Sequence, residues 1–185
     1  MKNSKISFRK NPVCPFGDLV WKKYYWIYPR RAARFKKEYW EEAADPDGNR
    51  RDLLKEWDQQ VEHRKHLIGF LKQMKPGRIL DVGCGPGFLL SALNKKWEKY
   101  GTDISKVAVD ICSKYAKVSR GELARLNFGK NYFDAVVVNH VLEQLPKPLG
   151  YIKEIKRILK KNGVLLIETP DFDSGCARRF KKKFR

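Results

Sequence analysis

Three glycines at alternate positions, Gly83, Gly85 and Gly87, follow the run Ile79-Leu80-Asp81-Val82 and lead into Phe88. An apolar run that ends in closely spaced glycines reads as a strand turning tightly, with backbone bare enough for a ligand to approach. The helix expected next would aim its unpaired N–H groups and positive dipole end at the same crevice. Asp103 stands twenty residues beyond Gly83, at the end of a second expected strand. A carboxylate placed there can accept hydrogen bonds from both hydroxyls of a ribose. The pattern describes a nucleoside site at the mouth of a parallel sheet.

The spacing narrows the nucleoside. A dinucleotide fingerprint, G-x-G-x-x-G, would need its third glycine at position 88, where Phe88 stands. Asp81, two residues before the loop, would repel a pyrophosphate but suits a ligand carrying an amino group and a sulfonium. S-adenosylmethionine has both charges and no phosphate. Two plainer readings stay open: Asp81 as a brace for the loop, and the glycines as aids to tight helix–strand packing.

The elements that must position these residues follow from periodicity. Leu53, Leu54, Trp57, Val61, Leu67, Ile68, Leu71 and Met74 recur at helical intervals, which predicts one amphipathic helix from Arg50 to Met74, stopped by Lys75-Pro76-Gly77. Asp45-Pro46-Asp47-Gly48-Asn49 is a turn signal before it. Beyond Pro76 the period alternates. Strands are expected at Arg78–Val82, Lys99–Thr102, Tyr115–Ser119, Phe133–Asn139 and Val164–Glu168, the last after a turn at Lys161-Asn162-Gly163. Helices are expected over Phe88–Lys96, Lys106–Lys114 and Leu149–Leu159. The order implies an α/β fold with a doubly wound, mostly parallel sheet and an N-terminal helical extension. Residues 1–75 form that extension, or lid; 76–170 form the core; 171–185 form a basic tail.

Asp81-Val82-Gly83-Cys84-Gly85-Pro86-Gly87 resembles motif I of the class I S-adenosylmethionine-dependent methyltransferases, which have a Rossmann-like core. Tyr100-Gly101-Thr102-Asp103-Ile104-Ser105 is similar to their second-strand signature, and Gly121-Glu122-Leu123 with Leu126-Asn127-Phe128 to their third motif. Phe133-Asp134-Ala135-Val136 and Asn139-His140-Val141-Leu142-Glu143-Gln144-Leu145 resemble motif IV. The ordered matches span residues 76–170. The resemblance implies S-adenosylmethionine as cofactor and S-adenosylhomocysteine as product. It implies that Asp81, Gly83, Cys84, Gly85 and Gly87 hold the methionine moiety, Asp103 and Ile104 the ribose side, and Glu122 and Leu123 the adenine. Asn139 and His140 would line the edge where methyl group and acceptor meet, with His140 as candidate general base; a structural histidine at a strand end is the competing reading. Glu122 departs from the usual aspartate. Related ubiquinone-pathway O-methyltransferases read Leu-Glu-His where this chain has Leu142-Glu143-Gln144, so no metal site is expected.

Charge is uneven. The net formal charge of +19 comprises +10 over residues 1–37, +6 over 178–185 and +3 in between. Basic ends of this kind suit nucleic acid, anionic lipid or an acidic partner, or simply solvation. Trp21, Tyr24, Tyr25, Trp26 and Tyr28 among the N-terminal cations could stack bases or pack on the domain. Cys14-Pro15-Phe16-Gly17 is half of a zinc-ribbon pattern without its second half. No apolar run reaches membrane-span length and no signal sequence is visible, so a cytoplasmic setting with free thiols is expected.

Family members continue past the fifth strand with two more, so the sheet is expected to lack its last two strands and to expose an apolar fifth-strand edge suited to homodimerisation. The function these residues imply is methyl transfer to a small-molecule acceptor. Two alternatives remain: methylation of RNA or another polyanion through the basic ends, and a non-catalytic truncated module that binds the cofactor.

Overall fold

The computed structural model describes residues 35–44, 49–145 and 148–169. The aromatic and basic N-terminal run, Cys14, the turn signal at 45–48 and the basic tail lie outside the described residues. Short α1 (Lys37–Glu41) leads into β1 (Ala43–Ala44), which pairs antiparallel with β2 (Arg50–Arg51). The remaining elements are α2 (Trp57–Glu62), α3 (Lys65–Gln73), β3 (Arg78–Val82), α4 (Phe88–Ala92), β4 (Glu98–Asp103), α5 (Lys106–Cys112), β5 (Lys117–Arg120), β6 (Phe133–Asn139), α6 (Pro148–Ile158) and β7 (Leu159–Glu168).

Five strands form one parallel sheet in the order β5-β4-β3-β6-β7. The chain builds outward from β3 through β4 to β5, then crosses back to lay β6 on the other side of β3. This reversal opens a crevice at the carboxyl ends of β3, β4 and β6, where ligands bind in open α/β sheets. Alternation along the strands feeds two cores. Ile79, Ala135 and Val137 face α3, α4 and α5 through Leu71, Leu90 and Cys112. Leu80, Val82, Val136 and Val138 face the other way, onto Ile155 and Ile158 of α6. Both faces are covered, which is why Phe133–Asn139 reads as an unbroken apolar run. The expected doubly wound α/β core is therefore present.

Several boundaries differ from the sequence expectation, each for a visible reason. The single helix expected from Arg50 to Met74 is two helices after a short strand. Asp52 Oδ1 captures the N–H groups of Leu54 and Lys55 at 3.1 and 3.0 Å, holding the chain in a turn until Trp57. The second break falls at His63 and Arg64. The helix expected over Phe88–Lys96 stops at Ala92; Lys99 Nζ donates to the free carbonyl of Leu90 at 2.8 Å and also to that of Leu93. The third strand begins at Lys117 rather than Tyr115, because the N–H groups of Tyr115 and Ala116 bond to the Cys112 carbonyl at 2.9 and 3.2 Å and close α5.

The turn expected at Lys161-Asn162-Gly163 is absorbed into β7. Phe133 pairs with Leu159 and Ala135 with Val164, so extra residues of β7 bulge opposite Asp134. Asp134 stitches the irregularity: it accepts Lys160 Nζ at 2.7 Å and the Arg78 N–H at 2.8 Å. Among the described residues β7 pairs with β6 alone and so lies at an edge of the sheet, and Ile167 on it is 43% exposed.

The end of the sheet opposite the crevice is held by a polar cluster. Glu98 accepts Tyr100 Oη at 2.6 Å, Lys117 Nζ at 2.9 Å and Arg78 Nε at 3.0 Å, and Tyr132 Oη meets Tyr100 Oη at 2.8 Å. These partners, Tyr100 foremost, hold the Glu98 carboxyl down at about 2. A depressed carboxyl contributes stability above its unfolded value near 4.5, lost as pH falls toward 2. Melting curves should therefore show a smaller loss of stability between pH 4.5 and 2 in Glu98→Gln than in the parent chain. Equal losses would mean that the cluster carries no acid sensitivity.

Candidate active site

The glycine loop is tied to β4 by backbone bonds. The N–H groups of Gly83 and Cys84 both reach the Thr102 carbonyl, at 2.7 and 3.0 Å. Gly83, Gly85 and Gly87 have φ of +71°, +54° and +97°, in the left-handed region that side chains resist. Space forbids a side chain as well: a Cβ on Gly83 would lie 2.3 Å from Val141 Cγ2, and one on Gly85 3.1 Å from Trp40 Cη2. The loop therefore lies directly against Val141, just past β6, and under the indole of α1.

Asp103 braces this loop. Its Oδ2 accepts the Gly85 N–H at 2.9 Å and its Oδ1 the Ser105 N–H at 2.8 Å. Each oxygen keeps a lone pair for a ligand hydroxyl. Burial raises the Asp103 carboxyl; the bonds from Ser105, Gly85 and Ile104 work against that rise. Asp81 is deeper, in the middle of the sheet between Gly101 and Val137. Only 4% of it is exposed. Burial pushes its carboxyl up to about 7, with Arg64 opposing and Asp103 adding to the rise. The plain reading of Asp81 as a loop brace falls to Asp103, which makes the loop contacts.

Arg64, which the apolar stripe concealed, is the cation facing Asp81. It sits in the break between α2 and α3, with Nη1 donating to the Gln60 carbonyl and to Gln60 Oε1, the latter at 3.3 Å. Its guanidinium carbon lies 5.2 Å from the Phe88 ring centroid. Burial lowers its pKa while Asp81, Glu168 and Tyr39 raise it. The missed signal was a charge on the buried stripe between Val61 and Leu67.

The profile of a methyltransferase domain matches residues 50–183, most of the chain, including the glycine loop, Asp81 and Asp103. The chain belongs to the methyltransferase domain family. It is 30% identical to a ubiquinone biosynthesis O-methyltransferase of Actinobacillus pleuropneumoniae, over 50% of this chain and 45% of that one. It is 25% identical to a trans-aconitate 2-methyltransferase of Rhodopseudomonas palustris, over 68% of this chain and 51% of that one. The chain thus spans about half the length of these two curated relatives. A solved SAM-dependent methyltransferase of Archaeoglobus fulgidus shares the fold, with TM-score 0.60 and 21% identity over 67% of this chain and 57% of that one. The cofactor of the family is S-adenosylmethionine.

Within the methyltransferase domain the other expected site residues fall as follows. Ile104 follows Asp103, and its carbonyl accepts Arg120 Nε at 3.3 Å. Glu122 is exposed at the start of a single turn, Leu123–Arg125, and the Gly121 N–H ties that turn to the Asp103 carbonyl at 2.9 Å. The Leu123 side chain is core, 1% exposed, which leaves only its backbone for a ligand. Cys84 likewise turns its thiol inward, against Cys112; that contact and burial raise its pKa. Asn139 ends β6 with its Oδ1 buried and without a hydrogen-bond partner, as is the Nε1 of Trp40. A donor and an acceptor, both buried and without partners beside one crevice, fit a polar ligand that pairs with them.

His140 leaves β6 with φ +54°, a left-handed conformation unusual for histidine. Its N–H bonds to the Glu168 carbonyl at 2.9 Å, and Gln144 Nε2 donates to its own carbonyl at 2.7 Å. The ring lies between Glu143 (Nδ1 to Oε1, 3.6 Å) and Glu168 (Nε2 to Oε1, 3.9 Å). Glu168 Oε2 meets His66 Nε2 of α3 at 3.0 Å. Among the described residues no group of three or more histidine, cysteine or acidic side chains is arranged to hold a metal ion.

Proposed function

We propose that this chain carries the donor-binding and catalytic core of an enzyme that transfers a methyl group from S-adenosylmethionine to a small-molecule acceptor. The observation that carries this reading is the pair of carboxylates on adjacent parallel strands, Asp81 buried within β3 and Asp103 ending β4, with a loop of three left-handed glycines at the carboxyl end of β3. The groups present fit the donor. Asp103 keeps acceptor capacity for the ribose hydroxyls, and Asp81 offers a buried negative charge to the amino group. Arg64 and the unpartnered Nε1 of Trp40 supply cation and N–H donor for the carboxylate. Asn139 Oδ1 offers a free acceptor beside the glycine loop, and the Glu122–Leu123 turn closes the adenine end.

When bound, S-adenosylmethionine supplies a methyl group on a positively charged sulfur, already activated, and leaves as S-adenosylhomocysteine. The protein's part is then mainly orientation and exclusion of water. The described part of the 1–75 extension serves as the lid. Trp40 closes on Gly85, and Tyr39, Leu53, Leu54, Trp57 and Val61 seat it on Phe88 and Ala108. The two relatives named for ubiquinone biosynthesis and trans-aconitate support a small-molecule acceptor. The carboxylates of Glu143 and Glu168 near the crevice argue against a polyanion. Among the described residues no helix is long and apolar enough to cross a membrane.

The outer edge of β7, with Ile167 exposed on it, is the surface through which two copies would pair. Size-exclusion with light scattering is expected to show a concentration-dependent dimer that Ile167→Lys weakens. A strict monomer at high concentration would refute that pairing. Donor binding itself is tested by the calorimetric titration that closes the Discussion.

A further inference from the structure

We infer that the end of the sheet opposite the crevice is a docking surface for the backbone of duplex RNA. The inference goes beyond the methyl-transfer reading and stands apart from it, because the RNA is a second partner and not the acceptor. Parallel strands all begin at one end of a sheet, and here a lysine marks the beginning of each. Lys75 precedes β3, Lys95 and Lys96 precede β4, Lys114 precedes β5, Lys130 precedes β6, and Lys161 lies near the start of β7. All six are exposed. In the strand order β5-β4-β3-β6-β7 they make a row about 19 Å long, at ~4.8 Å per strand spacing.

The row is a segregation of charge and not a general excess, since residues 38–177 carry only +3 in all. The acids that border it are already paired: Glu98 with Arg78 and Lys117, Asp134 with Lys160, and Glu154 with Arg157. Among the described residues, the lysines that form ion pairs are others than these six. Complementing a helix dipole accounts for Lys75 and Lys114, each two residues past the end of α3 or α5. It does not account for Lys95, Lys96 and Lys130, which lie in turns, or for Lys161 in β7, and Lys99 already serves the free carbonyls of α4. The crevice end carries the opposite sign, in Asp103, Glu122, Glu143 and Glu168. A polyanion is therefore directed to the row and away from the crevice.

Charge alone does not choose between polyanions; the residues beside the lysines do. Asn94 precedes Lys95, Asn131 follows Lys130 and Asn162 follows Lys161, and all three are exposed. Asn94 Oδ1 accepts the Lys96 N–H at 2.9 Å, which leaves its amide N–H groups for a ligand. Lysine and asparagine side by side can hold a phosphate and a neighbouring ribose 2′-hydroxyl together. A bilayer surface would favour an apolar anchor, and unpaired bases an open aromatic ring. Leu149 and Ile167 are exposed at the other end, in the first turn of α6 and near the end of β7. Tyr115, beside Lys114, leans on Trp57 with ring centroids 5.4 Å apart. Among the described residues no helix or hairpin stands out from the strand beginnings to enter a DNA major groove. A flat row of this kind suits the wide, shallow minor groove of an A-form helix and the phosphates along it.

The test is fluorescence anisotropy of the full chain with an RNA duplex of about 16 base pairs, titrated between about 50 and 200 mM salt. The parent is expected to bind with a steep salt dependence. Replacing Lys95, Lys96, Lys130 and Lys161 together by glutamine should weaken binding at least about 100-fold at the lowest salt and flatten the log–log slope by about 4. Lys95→Gln with Lys96→Gln alone, the milder change to the fold, should flatten it by about 2. Melting temperature and donor affinity are expected to match the parent in both variants, so a failed methyl-transfer reading would show separately, as a parent that binds no donor. A parent that does not bind the duplex overturns the inference. So does binding unchanged in the variants, which would place it on the basic ends of the chain. Equal affinity for duplex DNA, single-stranded RNA, poly-glutamate or vesicles of phosphatidylserine and phosphatidylcholine in equal parts would overturn the choice of partner.

Discussion

Asp81→Asn is expected to stabilise the empty domain and to abolish donor binding. The Asp81 carboxyl is pushed up to about 7 from an ordinary value of 3.8, chiefly by burial. Between those values the folded state holds a proton that the unfolded state has released. Stability conferred by the protonated form is full below about pH 4, falls as pH rises, and is lost above 7. A shift of this size corresponds to about 4 kcal/mol at pH 8. Removing the ionisable group should therefore raise the melting temperature at pH 8 by roughly 8–16 °C, with little change at pH 4. The same replacement removes the negative charge offered to the donor's amino group. Donor affinity of the parent should rise up to about tenfold per pH unit from pH 5.5 toward 7 and flatten above, as Asp81 ionises. Melting curves at pH 4 and 8, with calorimetry across the range, check both halves. A destabilised Asp81→Asn chain, or a pH-independent affinity, would contradict the electrostatic role.

The second large effect belongs to Asp103. Alanine there strips the acceptors from the N–H groups of Gly85 and Ser105, so the loop and the start of α5 lose their common tie. Each unpaired buried donor costs about 1–3 kcal/mol, and the ribose loses its acceptor. Asp103→Ala should lower donor affinity by at least about 100-fold and lower the melting temperature. Asp103→Asn keeps one acceptor oxygen and should retain more of the stability than of the binding. Thermal melts with calorimetry on both variants distinguish the two. Equal loss of binding and stability in Asp103→Asn would mean that Asp103 serves the fold alone.

The contrast between these residues and those the sequence concealed is physical. Asp81, the glycines and Asp103 are readable because strand, loop and helix impose their spacing locally. Asp103 ends the strand beside the glycine loop, at a distance along the chain that one strand–helix–strand unit sets. Phe133–Asn139 was legible for a similar reason, since a strand covered on both faces has no polar positions to confuse it. His66 and Glu168 meet across 102 positions, and nothing local records that contact. Arg64 hid within an apolar stripe, because a partly buried arginine stacked on Phe88 occupies the place of a hydrophobic residue. At Lys161-Asn162-Gly163 the local turn preference was overridden by pairing with β6, which absorbed the extra residues as a bulge stitched by Asp134. The helix expected over Arg50–Met74 broke because Asp52 competes for backbone N–H groups, which apolar periodicity does not register.

The central claim is that the Gly83–Gly87 loop with Asp81 and Asp103 holds S-adenosylmethionine. Calorimetric titration of the full chain at pH 7.5 with S-adenosylmethionine and S-adenosylhomocysteine tests it most directly. Micromolar, one-to-one binding of both, lost in Asp103→Ala while circular dichroism shows that the variant is folded, is the result expected. A folded parent chain that binds neither compound would contradict the claim and leave the crevice without its donor.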